Sequence, residues 1–432
     1  MRLVIVGSGP AGIFAVETIR RVAPTHTVVM VSMDHAVAQS PVMLTYWMAG
    51  NRPRDIIFFR NASWAKQMKI DVRLGRRTRA LDTSTHSLIL EDGEALAYDR
   101  LLLATGAAPI TLPIPGIEAK GVNALRHAAD AAAILGKGVD IKAVMIIGGG
   151  FIGLKLACHL KARGLQVTVF EKESKLAARI LDNQASFQIE KWLCQKEIGV
   201  ETGVEVVEIL DQRGWVSGVR MGDGRVIPCQ SLVQAVGVRP NTQVLSGSPI
   251  EGATGVLVND RMETSVPGVY AAGDVALTID SISGERMNNA TWPAATRQGT
   301  VAGFNMIGQR RKYIHNFPIN ALNLMGLRVV SAGHSYYETD SPMTVYKLKR
   351  GESYRKIVLH AGRLIGFLLV GDISGAGLLL GLMKRKIKIS SKAKDLLKGR
   401  FSAHDLLPPN LGHWHGLPGM YRENSISKGD YR

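Results

Sequence analysis

The chain has 432 residues, is 46% hydrophobic and carries 46 glycines, enough apolar sequence for two or three domains with cores of their own. Its three cysteines show no CxxC and no close spacing, which argues against a disulfide framework, a metal site or an iron–sulfur cluster built from this chain. The net charge of +17 is concentrated: from Lys347 to Arg400, fourteen Lys or Arg stand against three acids, Glu352, Asp372 and Asp395.

At the N-terminus Met1-Arg2 leads straight into an apolar run, Leu3-Val4-Ile5-Val6, with no signal peptide before it, so a cytoplasmic protein is expected. Gly7-Ser8-Gly9-Pro10-Ala11-Gly12 follows the strand and opens a helical pattern. In that context the first glycine allows a tight turn and the second lets backbone approach a pyrophosphate. The third lets helix and strand pack closely, and the helix N-terminus offers free N–H groups to the anion. Thr27–Val31 reads as the next strand and ends near Asp34, an acid placed to bond ribose hydroxyls. Short strands fill residues 56–110, ending in Arg100–Pro109, and Pro109, Pro113 and Pro115 read as a linker.

The pattern then repeats. Val144-Met145-Ile146-Ile147 runs into Gly148-Gly149-Gly150-Phe151-Ile152-Gly153, and the following strand, Val167–Phe170, ends at Glu171. A glutamate there bonds both ribose hydroxyls and repels a 2′-phosphate, which favours NAD(H) over NADP(H), with the adjacent Lys172 pulling the other way. This unit, from about residue 117 to 242, closes at Val236–Asn241. Two such units in one chain imply two dinucleotides held face to face, and hydride transfer between them.

Downstream, the stretch from Gly255 leads through an apolar strand into Gly273-Asp274, which would set a carboxylate beside the polyol or pyrophosphate of a flavin. From about residue 317 new strands, Arg355–Leu359 and Leu364–Val370, suggest a smaller α+β domain. The apolar stretch Leu364–Met383 is broken by Asp372 and glycines, so it reads as strand, loop and helix rather than a membrane span. No helix-turn-helix, RNA-binding or zinc-finger pattern accompanies the basic run, so nucleic acid is not expected. An acidic electron-carrier protein or sister subunit is the favoured partner, against a merely solubilising face. The tail after Pro408 is expected to be extended, with His413 and His415 flanking Trp414 for packing or partner contact rather than metal.

Taken together, GSGPAG, Asp34, LLLATGAAP, GGGFIG, Glu171, AVGVRPNT, ETSVPGVYAAGD, Trp292-Pro293 and Gln298-Gly299 resemble the FAD-dependent pyridine-nucleotide–disulfide oxidoreductase superfamily. The likeness is to its NADH:rubredoxin reductase, ferredoxin reductase and nitrite reductase branches. It implies two Rossmann-like domains of three-layer ββα type, one inserted in the other, plus the small C-terminal domain. The expected segments are 1–112 and 243–316 for FAD, 113–242 for NAD(H), 317–405 for an interface domain and 406–432 for the tail. It further implies non-covalent FAD held by Gly7, Gly9, Pro10, Ala11, Gly12, Asp34, Thr78, Ala104, Thr105, Gly106, Gly273, Asp274 and Trp292. NAD(H) would be held by Gly148, Gly150, Phe151, Ile152, Gly153, Glu171 and Gly237.

The departures carry as much information. The catalytic cysteine of the thiol-dependent members falls at Val42, and Cys158, Cys194 and Cys229 read as small buried or half-buried fillers. Thiolate chemistry is therefore not expected. The early-loop lysine of the ferredoxin reductase branch falls at Thr45, while its helix glutamate is replaced by Lys155. Lys155 either brings positive charge near the flavin or points to solvent beside a weakened nicotinamide site.

The expected activity is hydride exchange between NAD(H) and FAD, with electrons passed to or from an external iron–sulfur centre: ferredoxin, rubredoxin or an iron–sulfur subunit. The last case resembles the flavoprotein subunit of phenylglyoxylate-type 2-oxoacid dehydrogenases, and a homodimer or multi-subunit complex is compatible with it. A stand-alone NADH oxidase, or a flavin-bearing structural subunit with a decayed NAD site, are the alternatives.

Overall fold

The computed structural model describes residues 1–136, 141–314, 316–338 and 342–399. Leu3, Val4 and Ile5 are shielded from solvent on both faces, as a central parallel strand requires. Their strand, Arg2–Val6, lies between Thr27–Val31 and Arg100–Leu103 in a parallel sheet. Asp71–Arg73 forms one edge, and Val269–Ala271, reached only after the second glycine-rich unit, forms the other. The first unit is thus discontinuous in sequence and continuous in space.

The second parallel sheet has the order Ile198–Thr202, Gln166–Glu171, Ala143–Ile147, Ser231–Gln234, Val122–Ala124. Each unit carries a three-stranded antiparallel sheet, Thr78–Ala97 on the first and Val206–Pro228 on the second. The two crossings between the units pair with each other: Ala107–Pro109 runs antiparallel to Val238–Pro240. Pro109, expected in a linker, therefore ends a strand. Proline is tolerated there because a two-stranded ribbon has only edges.

Helix Pro10–Val22 starts with Pro at its first turn and ends with Arg20 and Arg21 against its C-terminal dipole. Helix Trp292–Met306 packs on it so tightly that a Cβ at Gly299 would come 2.1 Å from Ala11 O. A five-stranded antiparallel sheet follows, in the order Ile319–Leu324, Leu327–Gly333, Arg363–Val370, Ser353–His360, Met343–Arg350. Helix Ala376–Arg385 lies against it, so Leu364–Met383 is a strand, a loop and a helix. Among the described residues no helix is long and apolar enough to cross a membrane. One apolar core joins Leu44, Met48 and Ile57 of the first unit to the second unit and to Leu327, Val329 and Leu368 of the third sheet.

Two expectations need correcting. The basic run is not all surface: Lys356 is fully buried and Arg355 is 8% exposed. They stand on opposite faces of strand Ser353–His360, where Asp372 is the counter-charge of Arg355 and Asp182, the N-cap of helix Asn183–Gln195, that of Lys356. Of the thiols only Cys158 and Cys229 are buried, while Cys194 lies on the open face of helix Asn183–Gln195. Arg400 and the tail with His413, Trp414 and His415 lie outside the described residues.

Candidate dinucleotide sites

The first candidate site is the C-terminal edge of the first parallel sheet, where open α/β sheets bind ligands. Three neighbouring strands end there in Gly7, in Ala104-Thr105-Gly106 and in Ala272-Gly273-Asp274, with Asp34 just beyond the next strand. Gly7 has φ +113°, and a Cβ on it would come 2.1 Å from Ala104 O; one on Gly12 would come 2.1 Å from Gly7 O. Those glycines hold the turn closed. Gly9 differs, because a Cβ there would meet nothing within 4 Å. The helix behind it has no side-chain cap, so its first N–H groups face that space. The cradle fits a dinucleotide pyrophosphate by shape and by donor chemistry.

Several further residues converge on this edge. Thr105 Oγ1 donates to Asn241 O (2.7 Å) and Asn241 Nδ2 donates to Thr105 O (2.9 Å), so the crossing ribbon is tied to the strand end. Gly273 N–H donates to Gln298 Oε1 at 2.8 Å, placing helix Trp292–Met306 under Asp274. Trp292 stands at that helix's N-terminus with its ring edge-on to Phe59. Burial pushes the Asp274 carboxyl up, and Arg126 pulls it back. Thr78 opens the antiparallel sheet, two residues past Arg76, whose N–H donates to Ser32 O, and three past Gly75, whose N–H donates to Asp34 O.

The second candidate site repeats the arrangement. Gly148 has φ +110° and packs against Ala235, Gly153 packs against Gly148 O, and Gly150 faces open space at an uncapped helix. Glu171 Oε2 accepts the Gly149 N–H at 2.7 Å and Oε1 accepts the Glu173 N–H at 2.8 Å. Each oxygen keeps a lone pair for a ribose hydroxyl. Lys172 is tied to Glu205 at 2.7 Å, so it is not paired with Glu171. Gly237, at φ +120°, lies beside Ile110 between strands Ser231–Gln234 and Val238–Pro240, while Phe151 is half-buried and Ile152 is 55% exposed at the mouth.

Helices Pro41–Met48 and Phe151–Ala162 close the seam between the two sites. Lys155 Nζ lies 3.5 Å from Val42 O and 4.2 Å from the Tyr46 ring centroid. His159 packs edge-on to Tyr46 and donates its Nδ1–H to Lys155 O (2.7 Å), and Arg163 donates to Met48 O (3.3 Å). Three basic residues at helical spacing thus line one seam. Burial lowers the Lys155 ammonium to about 8, and burial with the Lys155 charge lowers His159. Val42, at the position of the catalytic cysteine of thiol-dependent members, is 45% exposed, and Thr45 is buried and donates its hydroxyl to Val42 O.

Sequence reasoning missed Arg126 and His127. Arg126 lies 3.2 Å from where a Gly106 Cβ would stand, and His127 Nδ1 lies 3.4 Å from Asp34 Oδ1. Both belong to the stretch after Val122–Ala124, yet they reach the first site because the units abut there. No spacing rule links positions so far apart; only their charge could have marked them.

Residues 1–299 match the pyridine nucleotide-disulphide oxidoreductase family, and residues 318–387 match the rubredoxin NAD+ reductase C-terminal domain. The chain is 30% identical over 408 residues to the epsilon subunit of NADH-dependent phenylglyoxylate dehydrogenase from Aromatoleum evansii, covering 94% of this chain and 95% of that one. It is 33% identical over 323 residues to an NADH oxidase of Methanocaldococcus jannaschii, covering 72% and 71%. The crystal structure of a ferredoxin reductase from Rhodopseudomonas palustris superimposes with a TM-score of 0.81 at 25% identity, over 92% of this chain and 99% of that one.

Proposed function

Because the chain belongs to the pyridine nucleotide-disulphide oxidoreductase family, we propose that it is an FAD-dependent NAD(H) oxidoreductase exchanging electrons with an iron–sulfur protein. The observation that carries this reading is the pair of open, uncapped glycine cradles, at Gly9 and Gly150, on two parallel sheets joined by one ribbon. Gly7, Gly9, Gly12, Asp34, Thr105, Gly106 and Asp274 would hold FAD, and Gly148, Gly150, Gly153 and Glu171 would hold NAD(H). FAD, when bound, supplies hydride acceptance from the nicotinamide and release of electrons one at a time.

The chain's own residues bind and orient. The helix N-termini neutralise the two pyrophosphates, Asp34 and Glu171 grip the riboses, and the Thr105–Asn241 bonds keep the strand ends in register. No side chain needs to move a proton for hydride transfer itself. The buried thiols support a thiol-free route, since burial pushes Cys158 up to about 12 and Cys229 to about 11.

The partner is an iron–sulfur carrier or sister subunit with an acidic face, docking on the basic end of the third sheet around Lys384, Arg385, Lys386 and Lys388. Likeness along nearly its whole length to a phenylglyoxylate dehydrogenase subunit supports a place in a 2-oxoacid dehydrogenase complex. Anaerobic titration with NADH, followed by addition of oxidised ferredoxin, tests the function. Flavin bleaching and then ferredoxin reduction is the expected course. Failure to bleach, or rapid NADH turnover that needs only oxygen, would overturn it.

A further inference from the structure

We propose that Lys155 is the charge that sets the redox balance of the flavin bound at the first site, acting across the seam between the two dinucleotide units. This rests on the reading of the first site as an FAD site. The seam itself locates the charge. Lys155 projects from the helix that opens at the second glycine turn, and it meets the first turn of helix Pro41–Met48. That helix is entered through Asp34–Ser40, a segment fastened to the first glycine turn by the bond from Ala38 N–H to Ser8 O. Lys155 therefore stands where the reactive ends of two dinucleotides, one running from each cradle, have to meet.

Among the described residues packed around it, none compensates its charge. Its neighbours are a carbonyl oxygen, a tyrosine ring and, one turn along its own helix, His159 and then Arg163. The facing helix Pro41–Met48 contributes one titratable group, Tyr46. Strand Ile319–Leu324, packed on the same helix, carries none. On the sheet side, Glu171 is taken by backbone N–H groups and Glu201 by Arg225. An ammonium held by a carbonyl and an aromatic face, without a carboxylate, offers its field to any anion formed nearby.

Hydride transfer leaves such an anion. The hydride brings two electrons and one proton to the flavin, and the reduced ring then carries a negative charge unless it gains a second proton. A fixed cation makes the charged form the better one and raises the potential. Lys155 also loses its proton readily, because burial lowers it to about 8. Below that pH, reduction takes up one proton. Above it, the neutral amine takes a second proton as the ring becomes negative, so two electrons arrive with two protons: one on the flavin and one on Lys155 Nζ. For a two-electron couple each proton contributes about 30 mV per pH unit. The potential should fall by about 30 mV per pH unit below pH 8 and by about 60 mV above it.

The test is the flavin potential of the full-length holoprotein, measured by dye equilibration from pH 6 to 10 without NADH or carrier. Lys155→Arg keeps a charge that does not titrate, so the shallow slope should continue to pH 10. Lys155→Met should disfavour the reduced anion at least tenfold, a fall of about 30 mV or more. Flavin content and thermal midpoint, read on the same samples, show whether each variant is folded and loaded. A chain that never binds FAD would refute the underlying reading. A loaded wild type with no break near pH 8, or a loaded Lys155→Met with an unchanged potential, would refute the role of Lys155 alone.

Discussion

Lys356 and Asp182 are both fully shielded from solvent, and their charged atoms lie 3.1 Å apart across the joint between the second unit and the third sheet. Asp182 also caps helix Asn183–Gln195 through the Ala185 N–H and accepts the Tyr354 hydroxyl at 2.5 Å. Lys356 Nζ has no well-directed hydrogen bond, so the pair depends on charge rather than on bond geometry. Such a pair gains little over an apolar filling of the same volume, but losing one member strands the other.

Asp182→Asn keeps the cap and leaves Lys356 unpaired, and should cost about 3–5 kcal/mol in urea unfolding. Adding Lys356→Met should restore much of that loss. Burial pushes the Asp182 carboxyl up, yet Tyr354, the Ala185 N–H and Lys356 overcome this and leave it below its usual range. The unfolded chain therefore binds the proton first. The stabilisation is present above about pH 4 and is lost as the pH falls towards the lowered folded value. The gap between wild type and Asp182→Asn should narrow as urea curves are repeated from pH 6 down to pH 3.

The two glycines of the first turn should separate folding from loading. Gly9→Leu fills open space, so the chain should fold and purify colourless. Gly7→Ala drives a Cβ to within 2.1 Å of Ala104 O at φ +113° and should fail to give soluble protein. Circular dichroism and flavin absorbance distinguish the two outcomes, and a yellow Gly9→Leu protein would contradict the placement of the pyrophosphate.

NADH should bleach the flavin faster than NADPH by on the order of 100-fold, because in the proposed NAD(H) site Glu171 would face a 2′-phosphate, and a like charge there costs several kcal/mol. Lys172, held by Glu205, gives little relief. Glu171→Arg should move the ratio towards NADPH in stopped-flow traces, and an NADPH preference in the wild type would disprove the assignment.

One thiol per chain should react quickly with an aromatic disulfide reagent. Cys194 is exposed, whereas Cys158 and Cys229 are buried and shifted to about 12 and 11. Labelling should leave NADH bleaching unchanged. Lost activity in a folded, loaded Cys194→Ser protein would expose a redox role.

Charge reversal at Lys384, Arg385 and Lys386 should slow reduction of an acidic ferredoxin at least tenfold at low salt, with NADH bleaching unaffected. These residues close helix Ala376–Arg385, with Lys386 in the left-handed cap position. If the salt dependence of carrier reduction stays the same, the patch is only a solvated surface.

Much of this was legible because it is local. Strand Thr27–Val31, both glycine turns and Glu171 are determined by near neighbours, and they lie where the periodicity placed them. What escaped was long-range. Lys356 looked like one more surface charge because its partner Asp182 lies in another unit. Arg126 and His127 looked like connecting sequence for the same reason. Pro109 suggested a linker because its strand partner, Val238, lies beyond the inserted unit. Cys194 fell on the solvent side of an amphipathic helix, where residue type alone is a poor guide to facing.

The contact between Gly299 and Ala11 has a consequence for how the chain is made. The first sheet lacks its edge strand, and its first helix lacks its closest neighbour, until residues 269–306 exist. During synthesis the inserted unit, contiguous from Val122 to Gln234, emerges complete while strand Arg100–Leu103 still has one edge unpaired. Release of the last segment then closes the first cradle. Flavin capture is accordingly a late event in the birth of the molecule, and a nascent chain truncated before Val269 should carry a finished nicotinamide unit and no colour.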